Sequence, residues 1–151
     1  MRVAIFLHIL SAVVWIGGMF FAYMALRPAA VETLEPPARL KLWAAVFRRF
    51  FLWVWAAVIL ILLSGFHMVG EIGALPGYIL AMMVIGIVMA VIFFYVYFLP
   101  FTALKRGCAA GDWQAAGTAL SQIRVLVGIN LALGLINVAV ATLGPLAYAM
   151  G

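Results

Sequence analysis

The sequence predicts an all-α fold, a four-helix transmembrane bundle with both termini on the outer side (N-out, C-out). Three observations predict it. The first is composition: of 151 residues, 70% are hydrophobic and only 9% charged, and mean hydropathy is +1.28. A soluble domain has roughly 45–50% apolar and about 25% charged residues, and a short chain buries the smallest fraction of its surface. Ordinary soluble domains, disordered chains and disulfide scaffolds are thereby excluded, the last also because Cys108 is the sole cysteine. The second is a set of four continuous apolar runs, at residues 3–26, 50–69, 78–99 and 125–149, each near the ~20 residues that span a bilayer. The third is the placement of the basic residues, which gather between these runs rather than within them.

The run 3–26 carries no formal charge. In lipid such a run must satisfy its own backbone hydrogen bonds, which a helix does. Continuous rather than alternating apolarity argues against a β-barrel. A cleaved signal peptide has an apolar region of only ~7–15 residues. This run is longer, contains His8 and is followed by more basic residues than precede it, so it reads as a retained span. Before the second run, Glu35-Pro36-Pro37 marks a helix start, since proline is tolerated in the first turn. Leu40, Trp43, Ala44 and Phe47 then share one face, which predicts an interfacial turn leading into helix two. Residues 73–77 read as a tight external turn. The third run closes at Pro100, and Asp112 is placed to cap a lead-in to the fourth. The whole chain, residues 1–151, forms a single membrane domain.

Arg27, Arg39, Lys41, Arg48 and Arg49 lie in the first connection, and Lys105, Arg106 and Arg124 in the third. Only Arg2 lies on the other side. The positive-inside rule places connections one and three in the cytoplasm. The net charge of +5 is thus an orientation signal, and no nucleic acid is expected as a partner.

Ionisable groups within a span are costly and need a reason. Two candidates exist, His8 and His67. Each lies 18 residues from the basic end of its run, at Leu26 and Arg49 respectively, or about 27 Å at ~1.5 Å per residue. Consecutive antiparallel helices are usually neighbours, so two imidazoles at one depth can bracket a haem iron or share a copper ion. The His8 face continues through Ser11, Trp15, Gly18 and Met19. The His67 face runs back through Ser64, Leu63, Leu60, Ala57 and Trp53. Asn130 and Asn137 share a face of helix four, where buried amides act as interhelical glue. Met68, Met82 and Met83 are expected toward the outer side, and Met19, Met24 and Met89 deeper. Thioethers are soft ligands suited to Cu(I), and also adaptable fillers of apolar gaps.

Several motifs do not occur: Cys-x-x-Cys-His, His-Glu-x-x-His, a P-loop and Gly-x-Gly-x-x-Gly, which sets aside covalent haem, zinc-protease and nucleotide chemistry. No carboxylate lies within a span, which weakens proton-coupled transport.

Residues 7–20, Leu-His-Ile-Leu-Ser-Ala-Val-Val-Trp-Ile-Gly-Gly-Met-Phe, with Leu26-Arg27-Pro28 after them, resemble the first helix of CopD-domain membrane proteins. So do Arg49-Phe50-Phe51 through Ser64-Gly65-Phe66-His67, and Arg124 through Asn130 to Gly134. The resemblance implies a multi-pass protein of the bacterial cytoplasmic (inner) membrane linked to copper resistance or import. The fuller copper-resistance proteins have about twice as many helices, so a homodimer would be needed for a complete path. Leu7-His8, Trp15 and Gly18 also resemble the first helix of HemJ-type protoporphyrinogen oxidases, four-helix proteins associated with b-type haem. The intramembrane lysine of that family has no counterpart, since Lys105 lies beyond Pro100.

The residues support three readings. The first is a b-type haem protein, a membrane oxidoreductase with His8 and His67 as axial ligands. Ser11 and Ser64 would support the ligands, and Trp15 and Trp53 would form walls. It would pass electrons between quinone and a periplasmic redox partner, surrounded by membrane lipid. The second is a copper-binding or copper-importing protein using His8, His67 and Met68, with Met82 and Met83 as further ligands. The third is a HemJ-like oxidase. A subunit without cofactor is the remaining possibility.

Overall fold

The computed structural model describes residues 1–73 and 75–150. Ala74, within the turn expected at residues 73–77, lies outside the described residues. All the regular structure described is helical: α1 (Arg2–Phe21), a π-helical segment (Ala22–Leu26), α2 (Arg27–Thr33), α3 (Pro36–Glu71), α4 (Gly77–Phe98), α5 (Pro100–Ala110) and α6 (Trp113–Met150). Four helical stretches are long and apolar enough to cross a membrane: Arg2–Thr33, Pro36–Glu71, Gly77–Ala110 and Trp113–Ala149.

Helix starts and stops follow the residues that impose them. Pro36 opens α3 after Glu35 in extended conformation, where a missing N–H costs nothing. Pro100 cannot donate to α4, so α4 ends at Phe98 and α5 begins anew. Gly111 ends α5 at φ 69°, a left-handed conformation glycine adopts without a Cβ clash. The Asp112 amide then reaches back to the Gly107 carbonyl at 2.9 Å, as in a Schellman turn. The Asp112 carboxylate accepts from the Ala115 amide at 3.0 Å, the expected cap on α6.

The lead-ins differ from expectation. No interfacial turn separates from helix two, because α3 runs unbroken for 36 residues. Likewise α6 runs for 38. At ~1.5 Å per residue both exceed the ~30 Å hydrocarbon thickness, so their basic ends extend past it. Arginine and lysine have good helix propensity, so the charged residues there do not break the helix.

The helices pack as two pairs, α1 on α3 and α4 on α6, with α5 folded onto α6. Gly18 sets the first pair: a Cβ there would collide with the Phe50 ring. The α1 face at that seam runs Ser11, Trp15, Met19 and Ala22, all buried. An aromatic cluster fills the half nearer the basic residues. Phe51 lies at its centre, 5.1 Å from Phe47, 5.5 Å from Phe93 and 5.0 Å from Phe101. Asn130 and Asn137 join α6 to α4, donating to the Met89 and Met82 carbonyls at 3.2 and 3.4 Å. The amides serve as glue here. By contrast, the α3 and α4 backbones seldom come close: large aromatic side chains bridge them in the half nearer the basic residues, and room is left between them at the end where the termini lie.

Candidate metal centre

That room is a cavity of ≈ 450 Å³, within the ordinary range of ~300–1,000 Å³ for small-ligand sites. Each of the four long helices contributes a wall. His8 comes from α1, Gly65 and Met68 from α3, Met82 and Met83 from α4, and Asn137 from α6. His8 and the three outer methionines, which are far apart in sequence, thus face one space. Among the described residues, no carboxylate lines it.

The His8 ring is fixed by α3. Its Nδ1 lies 2.9 Å from Ser64 Oγ, and Gly65 leaves the imidazole against the helix, since a Cβ there would touch His8 Cε1 at 3.5 Å. A serine hydroxyl has one proton to donate. Ser64 Oγ lies 2.5 Å from the Leu60 carbonyl, which can only accept, so the hydroxyl donates there. Towards His8 it therefore accepts, and His8 Nδ1 carries the proton. This leaves Nε2 with its lone pair free. A partner that sets the tautomer in this way is typical support for a metal-ligating histidine.

Asn137 performs a related task for α4. Its amide donates to the Met82 carbonyl and holds that turn of α4 at the cavity wall. Pro145 interrupts the α6 ladder beside the same space. Proline has no N–H for the carbonyl four residues earlier, which here belongs to Ala141, another lining residue. Pro145 and Asn137 were not read from the sequence as parts of a site. The signal was present, since a proline inside a membrane run often marks a cavity.

Other expected site residues fall elsewhere. His67 does not line the cavity. Its side chain is 56% exposed, and Nε2 lies 3.4 Å from Glu71 Oε1 one turn on. Relative to buried Ser64, at ~100° per residue, Met68 stands about 40° to one side and His67 about 60° to the other, and the cavity is on the Met68 side. Trp53 and Leu63, read as part of an inward face with His67, are 67% and 65% exposed and belong to the lipid-facing surface. Ser11 and Trp15 are buried but lie deeper. Trp15 packs edge-on against Phe93 at 6.2 Å, among the aromatic residues rather than at the cavity. Met19 and Met89 are buried below it, and Met24 is exposed. Among the described residues, no group of three or more histidine, cysteine, aspartate or glutamate side chains gathers as a metal cluster. The soft-metal donors that line the cavity are one imidazole and three thioethers, with the Asn137 amide and the Tyr78 phenol beside them.

A family model for copper resistance protein D matches residues 44–143. The matched segment carries Met68, Met82, Met83 and Asn137, whereas His8 lies before it. Comparison with curated proteins and with solved structures gives no match. With about two thirds of its length covered by that family model, this multi-pass membrane protein belongs to the copper resistance protein D (CopD) family.

Proposed function

We propose that the protein binds monovalent copper as cargo in the ≈ 450 Å³ cavity, through His8 Nε2 and the thioethers of Met68, Met82 and Met83. The observation that carries this reading is the gathering of one oriented imidazole and three soft sulfur donors on three different helices around a single space. Thioethers select Cu(I) over harder ions, and imidazole suits copper in both oxidation states. All four donors are neutral and the walls are largely apolar. Desolvation cost rises with the square of the charge, so a divalent ion would pay about four times as much as a monovalent one. The charge-free donor set therefore favours Cu(I) over Cu(II). Membership of the copper resistance protein D family supports copper as the metal.

The bis-histidine haem reading receives one ligand from this cavity, His8, while His67 is engaged with Glu71 on the exposed side. Below the cavity the bundle is filled by Trp15, Met19, Met89 and Phe93, all buried. The function proposed is accordingly capture and holding of copper near the outer face of the inner membrane, with passage across the bilayer requiring a rearrangement of that layer.

Anaerobic titration of the detergent-purified protein against a chromophoric Cu(I) chelator tests this. One Cu(I) per chain is expected. His8→Ala and the Met82→Leu/Met83→Leu pair should each lower affinity by about tenfold or more, and His67→Ala should leave it unchanged. Equal losses from His8→Ala and His67→Ala would place the site elsewhere. Reduced-minus-oxidised absorption of the same preparation should show no haem bands. Bands near one haem per chain, lost in both histidine variants, would restore the haem reading.

A further inference from the structure

A second cavity, ≈ 270 Å³, lies at the opposite end of the bundle. Arg27, Arg39 and Arg124 line it, from α2, α3 and α6. These guanidinium groups are charged at any physiological pH. Among the described residues, no carboxylate lines the cavity, and the one ion pair is His67–Glu71, at the other end. As orientation signals alone, these arginines would need only to be solvated, as Arg48 and Arg49 are. Arg27 is instead half-buried.

The fold places Arg27 at this wall. In the π-helical segment the Arg27 amide bonds to the Ala22 carbonyl, five residues back. The extra residue rotates the downstream helix by about 100° relative to a straight α-helix, and such π segments frequently occur at functional sites. Ala22 and Tyr23 of this segment and Arg27 just after it all line the cavity. The Arg27 guanidinium lies over the Tyr23 ring at 5.2 Å, and Tyr23 in turn packs on Gly128 of α6. Apart from Ser121, the rest of the wall is mostly apolar, with Trp43, Phe47, Leu120 and Val127. The cavity therefore straddles the boundary between a basic connection and an apolar span, and offers three cations without carboxylate partners beside an aromatic and aliphatic surface.

We infer that this cavity binds an anionic phospholipid, with the phosphate among Arg27, Arg39 and Arg124 and the upper acyl chain against Trp43, Phe47 and Val127. Guanidinium groups match phosphate oxygens with paired hydrogen bonds, and basic pockets between membrane helices hold anionic headgroups elsewhere. The apolar wall favours an amphiphile over a soluble anion. The site is separate from the copper cavity and stands whether or not copper binds there.

Native mass spectrometry of the delipidated, detergent-solubilised protein tests it, with phosphatidylglycerol and phosphatidylcholine as competing probes. The expected result is one bound phosphatidylglycerol per chain, preferred by about tenfold. The Arg27→Gln/Arg39→Gln/Arg124→Gln variant should lose that preference, and Arg48→Gln/Arg49→Gln should keep it. Should the triple variant fail to fold, Arg39→Gln alone should still weaken binding by about threefold. Three results would overturn the proposal: equal binding of both lipids, equal losses in the two multiple variants, or full displacement of phosphatidylglycerol by millimolar inorganic phosphate. The last would identify a free-anion site.

Discussion

Ser64 illustrates how a single side chain sets the chemistry of another. It bridges the Leu60 carbonyl of its own helix and the His8 ring of α1. Removing the hydroxyl leaves Nδ1 without its acceptor and frees the imidazole to rotate or change tautomer. Partners of metal ligands typically contribute 10–100-fold to affinity, so Ser64→Ala should weaken Cu(I) binding by about tenfold while the protein elutes and melts normally. Chelator competition measures this, and unchanged affinity would detach the hydroxyl from the site. At this scale the sequence was partly legible. That His8, Met68, Met82 and Met83 lie at one end of the bundle, where they line one cavity, was readable because such side chains are rare in apolar runs and their depth follows from residue counts. His67 was misassigned to the same space because depth says nothing of rotation. The difference of about 100° between Met68 and His67 around α3 decides which of the two faces the cavity, and the packing of α3 against its neighbours sets that rotation.

Elements were legible where their limits are chemical. Glu35-Pro36-Pro37, Pro100 and Asp112 mark boundaries found in the structure, and each apolar run falls within one long helical stretch. The unbroken lengths of α3 and α6 were not legible, since hydropathy reports where lipid ends and not where the helix does. The π-helical segment has no sequence signal either. Tyr23 within it packs on Gly128 of α6. The α5–α6 seam depends on one glycine. A Cβ on Gly107 would lie 2.8 Å from the Ala116 backbone nitrogen, where only movement of a whole helix could relieve the contact. Gly107→Ala should therefore destabilise the protein by about 1–3 kcal/mol, as overpacking does. Gly17→Ala, with nothing within 4 Å, should be neutral or slightly stabilising. Thermal melts of the two variants in the same detergent make the comparison. Equal melting temperatures would show that α5 and α6 part readily and that the seam contributes little.

At the scale of the molecule, the two cavities lie at opposite ends of one bundle and differ in chemistry. The proposed copper cavity has no charged lining residue among those described and sits beside the termini, while the proposed lipid cavity carries three arginines at the basic end. Eight of the nine basic residues fall at or beyond that end of the spans. Arginine and lysine resist translocation, so their bias fixes orientation, and the expectation is that the copper cavity opens outward. Cysteine accessibility provides the check. In a Cys108→Ser background, Leu75→Cys, exposed between α3 and α4, should react with a membrane-impermeant maleimide in intact cells. Gln114→Cys, exposed at the start of α6, should react only after permeabilisation. The reverse pattern would place His8 and its methionines toward the cytoplasm. Copper capture would then occur from inside, and the protein would serve efflux or storage rather than uptake.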